Sequence, residues 1–261
     1  MRIVSILNLK GGVGKSITTI NLAHELASTY HQRVLVIDAD PQGDTSQFYG
    51  HGDGKGLMQL LSGSFDVARE LIVSTPYQRV TLIPASYDVY TLDVSAHLRG
   101  YSGFMDSFQA VADDCVSFDL ADIILVDCPP GFNSSCCAAL SASTNVIVPV
   151  TTDAFSVRGM DALIQQLAGL KSINPQLHLD GILVTMWHNV DVVKMAESTL
   201  RASHYPVFRT HIRRTDKVPE STWASQPLEI YSRRSSAAAD YAAFAAELWT
   251  QWGGGEQDGT A

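Results

Sequence analysis

Two lysines, three glycines and a hydroxyl fall within seven consecutive residues, Lys10-Gly11-Gly12-Val13-Gly14-Lys15-Ser16, between an apolar run and a helix-length segment. That composition suits the holding of phosphate. Glycines let backbone N–H groups turn inward around phosphate oxygens, at the positive end of a helix whose first N–H groups have no partner inside it. Lys15 adds a point charge for the β- and γ-phosphates of a nucleotide, and the Ser16 hydroxyl can ligate Mg²⁺. The spacing departs from the G-x-x-x-x-G-K-S/T pattern at one place, where Leu9 stands for the first glycine.

Two carboxylate segments complete the chemistry. Asp38-Ala39-Asp40-Pro41-Gln42-Gly43 follows one apolar run, and Asp127-Cys128-Pro129-Pro130-Gly131 follows another. If those runs are strands of a doubly wound sheet, the loops beyond their carboxyl ends form the ligand crevice, where both segments can meet the phosphate loop. Ile123–Val126 would then be a dry strand delivering Asp127 near Mg²⁺, typically through a water. Either segment alone would serve equally well as a cap or a turn; together, in this order behind a phosphate loop, they point to nucleotide chemistry.

The elements that must position these groups are legible as an alternation of β-branched runs with longer helical stretches, the sign of an α/β fold: a doubly wound, mostly parallel sheet with helices on both faces. Expected strands are Arg2–Leu7, Arg33–Ile37, Val80–Pro84, Asp122–Val126, Asn145–Val150, Leu179–Thr185 and Val207–His211. Expected helices are Ser16–Tyr30, Phe104–Val116, Ser134–Ser143, Val157–Ile173, Asp191–Ser203 and Ser236–Trp252, the last with Tyr241, Phe244, Leu248 and Trp252 on one face. Residues 48–79 give no clear pattern. Residues 1–252 read as one domain and 253–261 as a disordered polar tail.

Composition excludes several classes. No apolar run approaches the ~20 residues of a membrane span, and no leader-like cleavage site follows Met1–Leu9, so a cytoplasmic protein is expected. Cys115, Cys128, Cys136 and Cys137 have no metal-binding spacing and read as reduced thiols; neither H-E-x-x-H nor G-x-S-x-G occurs. The net charge of −9 argues against a surface that coats nucleic acid as a whole but permits a local basic patch.

The Lys-Gly-Gly-x-Gly-Lys-Ser loop resembles the deviant Walker A motif of the ParA/MinD family of P-loop ATPases. Asp38–Gly43 and Asp127–Pro130 look like that family's two switch segments, Pro149–Gly159 like its P-x-x-x-E/D-x-x-A/S-x-x-G element and Gly181–Met186 like its next strand. The resemblance implies ATP and Mg²⁺ as cofactors, with Lys10, Gly11, Gly12, Val13, Gly14, Lys15, Ser16 and Ile17 around the nucleotide. It implies that Ser16, Asp38 and Asp127 serve the metal and that Asp40 orients or deprotonates the attacking water. It further implies a face-to-face homodimer in ATP, with Lys10 reaching the phosphates of the opposite subunit. Two positions depart from the family: Ile17 stands where Thr or Ser is usual, and Ile212-Arg213-Arg214 replaces Ile-Pro-Arg near the adenine.

Within that family the ParA-like branch binds nonspecific DNA as an ATP dimer and answers to a ParB-type partner, whereas the MinD-like branch docks on membrane through a basic C-terminal helix. No Lys or Arg follows Arg234, so no membrane partner is expected and the MinD-like role is the alternative. Arg201, Arg209, Arg213, Arg214, Lys217, Arg233 and Arg234 face only Asp216, Glu220 and Glu229 over the same stretch, a local excess of four positive charges. These seven are the expected phosphate-contacting patch for double-stranded DNA, placing the ATP form on the nucleoid; an ordinary solvated face is the competing reading.

Overall fold

The computed structural model describes residues 1–52, 54, 56–90, 102–152 and 154–254. Strand β1 (Arg2–Ile6) leads through the phosphate loop into α1 (Lys15–Ser28). Strand β2 (Val34–Asp38) is followed by α2 (Asp44–Phe48) and α3 (Gly56–Ser62), and a two-residue β3 (Val73–Ser74) precedes β4 (Val80–Ile83). Next come α4 (Ser102–Ser117), β5 (Ile123–Asp127), α5 (Ser134–Ala142), β6 (Asn145–Thr151) and α6 (Ala154–Leu170). The chain continues through β7 (His178–Trp187), α7 (Asp191–Arg201), β8 (Val207–Arg213), α8 (Lys217–Trp223), α9 (Leu228–Ser232) and α10 (Ser236–Gln251).

Among the described residues the eight strands form one sheet in the order β3-β4-β2-β5-β1-β6-β7-β8, parallel throughout except for β3 against β4. Strands β2, β5 and β1 lie side by side in its middle and are almost entirely buried, as parallel strands covered on both faces must be. Their side chains alternate between two apolar layers. Leu35, Ile37, Ile124 and Val126 point to the layer shared with α4 and α5, while Val34, Val36 and Leu125 point to the layer shared with α1 and α10. Tyr241, Phe244 and Leu248 of α10 are buried in the second layer, as their helical spacing predicts.

The register positions the chemistry. Asp127 pairs with Ile6 on one side and with Asp38 on the other, so three carboxyl ends finish level with one another under the phosphate loop. The expected fold is therefore present, with additions. Strand β3, too short for a periodic signal, lies in the unreadable stretch together with α3 and a 3-10 turn at Ala68–Glu70, and the short α2 ends where that stretch begins. Helices α8 and α9 were also unexpected; Pro219 stands in the first turn of α8, where a missing N–H costs no intrahelical bond. Asp153, in the segment Pro149–Gly159, and residues 255–261 of the expected tail lie outside the described residues. Among the described residues no helix is long and apolar enough to cross a membrane.

Candidate active site

The loop between β1 and α1 turns on two left-handed residues, Gly12 at φ +72° and Gly14 at φ +89°. A side chain at Gly11 or Gly12 would meet nothing within 4 Å, so at Gly12 it is the backbone conformation and not crowding that demands glycine. The loop is braced from outside. Asn8 accepts from the Lys10 N–H at 3.0 Å and donates to the Pro149 carbonyl at 2.7 Å, while the Thr185 hydroxyl lies 2.8 Å from the Val13 carbonyl. Neither Asn8 nor Thr185 was identifiable as a site residue from sequence. Lys15 is buried and arches over the loop with Nζ 3.4 Å from the Lys10 carbonyl, whereas Lys10 is exposed.

Beneath the loop two carboxylates are fully buried on adjacent strands. Asp38 Oδ2 accepts from both the N–H and the hydroxyl of Ser46, at 2.7 and 2.6 Å, and Oδ1 accepts from the Asp40 N–H at 3.3 Å. Its oxygens thus hold the Asp40 N–H and Ser46 of α2. Asp127 is different: Oδ2 accepts from the Thr45 hydroxyl at 2.7 Å, while Oδ1 is buried without a hydrogen-bond partner among the described residues. Burial pushes its pKa up to about 6, against the lowering influence of the Thr45 and Ser16 hydroxyls. Burial and the neighbouring Asp127 charge also push Asp38 well above the usual carboxylate range.

An orphaned carboxylate oxygen beside the Ser16 hydroxyl fits a hard cation, so Ser16 and Asp127 could hold Mg²⁺ directly or through its waters. The same burial makes Asp127 a liability when no cation is bound. Because its folded pKa is raised, ionisation opposes folding: stability is lost as pH rises from the unfolded value near 4 through about 6. Asp127→Asn is expected to raise the melting temperature of the nucleotide-free protein at pH 7.5 by a few degrees while eliminating Mg²⁺-dependent turnover. Calorimetry of both proteins at pH 5 and 7.5 checks this, since the gain should shrink at the lower pH.

Asp40 sits at the cleft edge, half-buried. Burial raises its pKa, and the Gln42 N–H at 3.0 Å from Oδ1 together with nearby Lys15 pulls the other way. Asp40, Gly11, Lys15 and Ser16 all line a cleft of about 730 Å³, which also reaches Ile17, Pro130 and the highly exposed Trp223. A second, mostly apolar cavity of about 360 Å³ lies on the other side of Gly14 and Ile17, walled by Met186, Ile212, Val218 and Pro219. Its walls suit a flat aromatic base. Ile17 lines both spaces, and Arg214 reaches the second.

The basic residues between 201 and 234 divide in space. Arg201 is tied to Glu197 at 2.7 Å and to the Phe208 carbonyl, and Arg213 grips Asp240 at 2.6 Å. Lys217 pairs with Glu220 at 2.6 Å, Arg209 lies 3.6 Å from Glu247, and Arg233 lies 3.4 Å from Glu229. Three of these carboxylates, Glu197, Asp240 and Glu247, come from outside the window over which the charge excess was counted. The excess is therefore smaller in space than along the chain. Arg209 and Arg233 remain highly exposed, and Arg214 and Arg234 are exposed with no ion pair among the described residues.

The family model of the AAA domain matches residues 1–179. The chromosome-partitioning ATPase Soj of Thermus thermophilus is 32% identical over 252 residues, spanning 95% of this chain and 95% of that protein. The chromosome partitioning protein ParA of Caulobacter vibrioides is 28% identical over 257 residues, spanning 95% and 94%. Among solved structures, that of cobyrinic acid a,c-diamide synthase from Mycobacterium smegmatis, with bound ATP analogue and magnesium, superposes with a TM-score of 0.80 at 25% identity, covering 100% of this chain and 97% of that one.

Proposed function

The chain belongs to the ParA/MinD family of P-loop ATPases, and on that premise we propose that it hydrolyses ATP with Mg²⁺, acting as a dimer that ATP closes. The observation that carries this reading is the convergence of buried Lys15 and the unpartnered Asp127 oxygen beneath a left-handed glycine loop. Lys15 and the loop N–H groups neutralise the phosphates; Ser16 and Asp127 would hold Mg²⁺, which would supply further neutralisation of the phosphate charge. Asp40 orients the attacking water and accepts its proton. Lys10, exposed at the loop's outer edge, supplies charge to the phosphates of a facing copy, so the constellation is complete only in the dimer. The M. smegmatis structure, with its ATP analogue and magnesium, supports the ligand assignment. Phosphate release by the purified chain with and without Mg²⁺ tests it.

The ATP dimer binds duplex DNA without sequence preference and answers to a ParB-type or cargo-adaptor partner, a role supported by the chromosome-partitioning relatives. The net charge of −9 per chain repels DNA at long range, but screening confines that repulsion to ~8 Å at physiological salt. Arg209, Arg214, Arg233 and Arg234 are the residues with charge to offer; Arg201 and Arg213 serve Glu197 and Asp240 first. Two such patches per dimer would make affinity fall about a hundredfold or more between ~50 and ~200 mM salt. Replacing Arg209, Arg233 and Arg234 by Ala, with Arg214 left in place because it lines the apolar cavity beside Ile17, should sharply weaken DNA retention by the ATP-loaded protein while leaving its ATPase activity within about twofold, as filter binding and phosphate release would show. Retention by anionic vesicles and not by DNA would favour the MinD-like role.

A further inference from the structure

The segment Ala85–Tyr90, which follows β4, touches the Asp40 loop at successive points. The Ala85 N–H donates to the Ser46 hydroxyl at 2.8 Å, the Tyr87 hydroxyl donates to the Gln42 carbonyl at 3.2 Å, and Gln42 Nε2 donates to the Tyr90 hydroxyl at 2.7 Å. Ser46 is the residue that binds Asp38, and Gln42 is the residue whose N–H binds Asp40 Oδ1. Both tyrosine rings are substantially exposed, Tyr87 at 60% and Tyr90 at 45%, so their burial does not explain their placement. Buried Val89 between them anchors the segment in the apolar layer of α4 and α5.

We propose that Tyr87 and Tyr90 are positioning residues that hold Asp40 at its working angle by gripping Gln42 from outside the cleft. The Asp40 turn closes on itself through the Gly43 N–H to the Asp40 carbonyl at 2.9 Å and the Gln42 N–H to the Asp40 carboxylate, so it is a small rigid body. A rigid turn still has to be aimed. Ala39 is held by the Asp127 carbonyl and the Ser135 hydroxyl, but the Asp40 N–H itself makes only a long 3.3 Å contact with Asp38, and Gly43, left-handed at φ +73° with its carbonyl on the Gln47 N–H, is the joint between the turn and α2. Gln42 adjoins that glycine, and three of its polar groups are taken: the N–H by Asp40, the carbonyl by Tyr87 and the amide by Tyr90. Loss of the grip lets the turn swing about Gly43 and carries the carboxylate off line, without touching the phosphate loop or Lys15.

This inference rests on Asp40 acting on the water, and its test separates the two. Tyr87→Phe with Tyr90→Phe keeps both rings and removes only the hydroxyls. The double variant should lose about tenfold in kcat for ATP with KM within twofold and an unchanged melting temperature. In a Gln42→Ala background Tyr90→Phe should cause no further loss, because the hydroxyl acts through that side chain. Hydrogen exchange needs no turnover: the Gln42 and Gly43 amides should exchange about tenfold faster in the double variant. Unchanged exchange overturns the proposal, as does an unchanged kcat when Asp40→Ala is inactive, or additive losses with Gln42→Ala. If the parent releases no more phosphate than Lys15→Ala, the hydrolysis assignment fails and the exchange measurement alone decides whether the tyrosines hold the loop.

Discussion

Lys15→Ala is expected to lose nucleotide binding by at least about a hundredfold, roughly 3 kcal/mol, as titration of the variant with a fluorescent ATP analogue would show. The loss has two sources. Lys15 is the buried cation of a cleft whose glycines contribute backbone dipoles, so removing it takes away a full charge held over the loop. It also lies near Asp40 and Asp127, whose carboxylates it helps to keep ionised. Without it both are driven further toward the protonated form by burial, and Asp127 becomes a poorer partner for Mg²⁺. Lys15→Arg is not expected to restore binding, since the wider guanidinium has to fit where Nζ already lies 3.4 Å from the Lys10 carbonyl.

Asp40→Ala should behave in the opposite way, binding ATP with an affinity within about threefold of the parent while kcat falls a hundredfold or more, the range that general-base removal produces. The carboxylate is at the cleft edge, and its folded partner is the Gln42 N–H, not the phosphate loop, so its loss leaves the cradle intact. Isothermal titration and phosphate release on the same preparation separate the two effects. Equal losses in binding and turnover would mean that Asp40 supports the nucleotide and does not act on the water. Because it traps the ATP state, this variant is also the one in which dimer and DNA binding should be strongest.

The phosphate loop was legible because its chemistry is local: glycines with left-handed backbone, a lysine and a hydroxyl must be contiguous to cradle an oxyanion. The sheet was legible for a related reason, since strands buried on both faces read as continuous apolar runs wherever they occur. What escaped was assembled from distant positions. Thr45 reaches Asp127 across 82 residues and Thr185 reaches Val13 across 172, and nothing in a single threonine marks it as a brace. Asp38 was visible as a carboxylate, but its commitment to Ser46 depends on α2 folding back over β2. The basic stretch shows the reverse failure. Charges counted along the chain omit Glu197, Asp240 and Glu247, which β8, α7 and α10 bring alongside the arginines.

The hydrolytic site proposed above is begun by one chain and completed by a second through Lys10. Its most direct measurement is phosphate release per chain from ATP and Mg²⁺ as the protein concentration is raised from well below to well above the dimerisation range. Turnover per chain should climb with concentration to a plateau, and Lys10→Ala should remove the climb while still binding ATP. Turnover per chain that is independent of concentration, with Lys10→Ala as active as the parent, would contradict it.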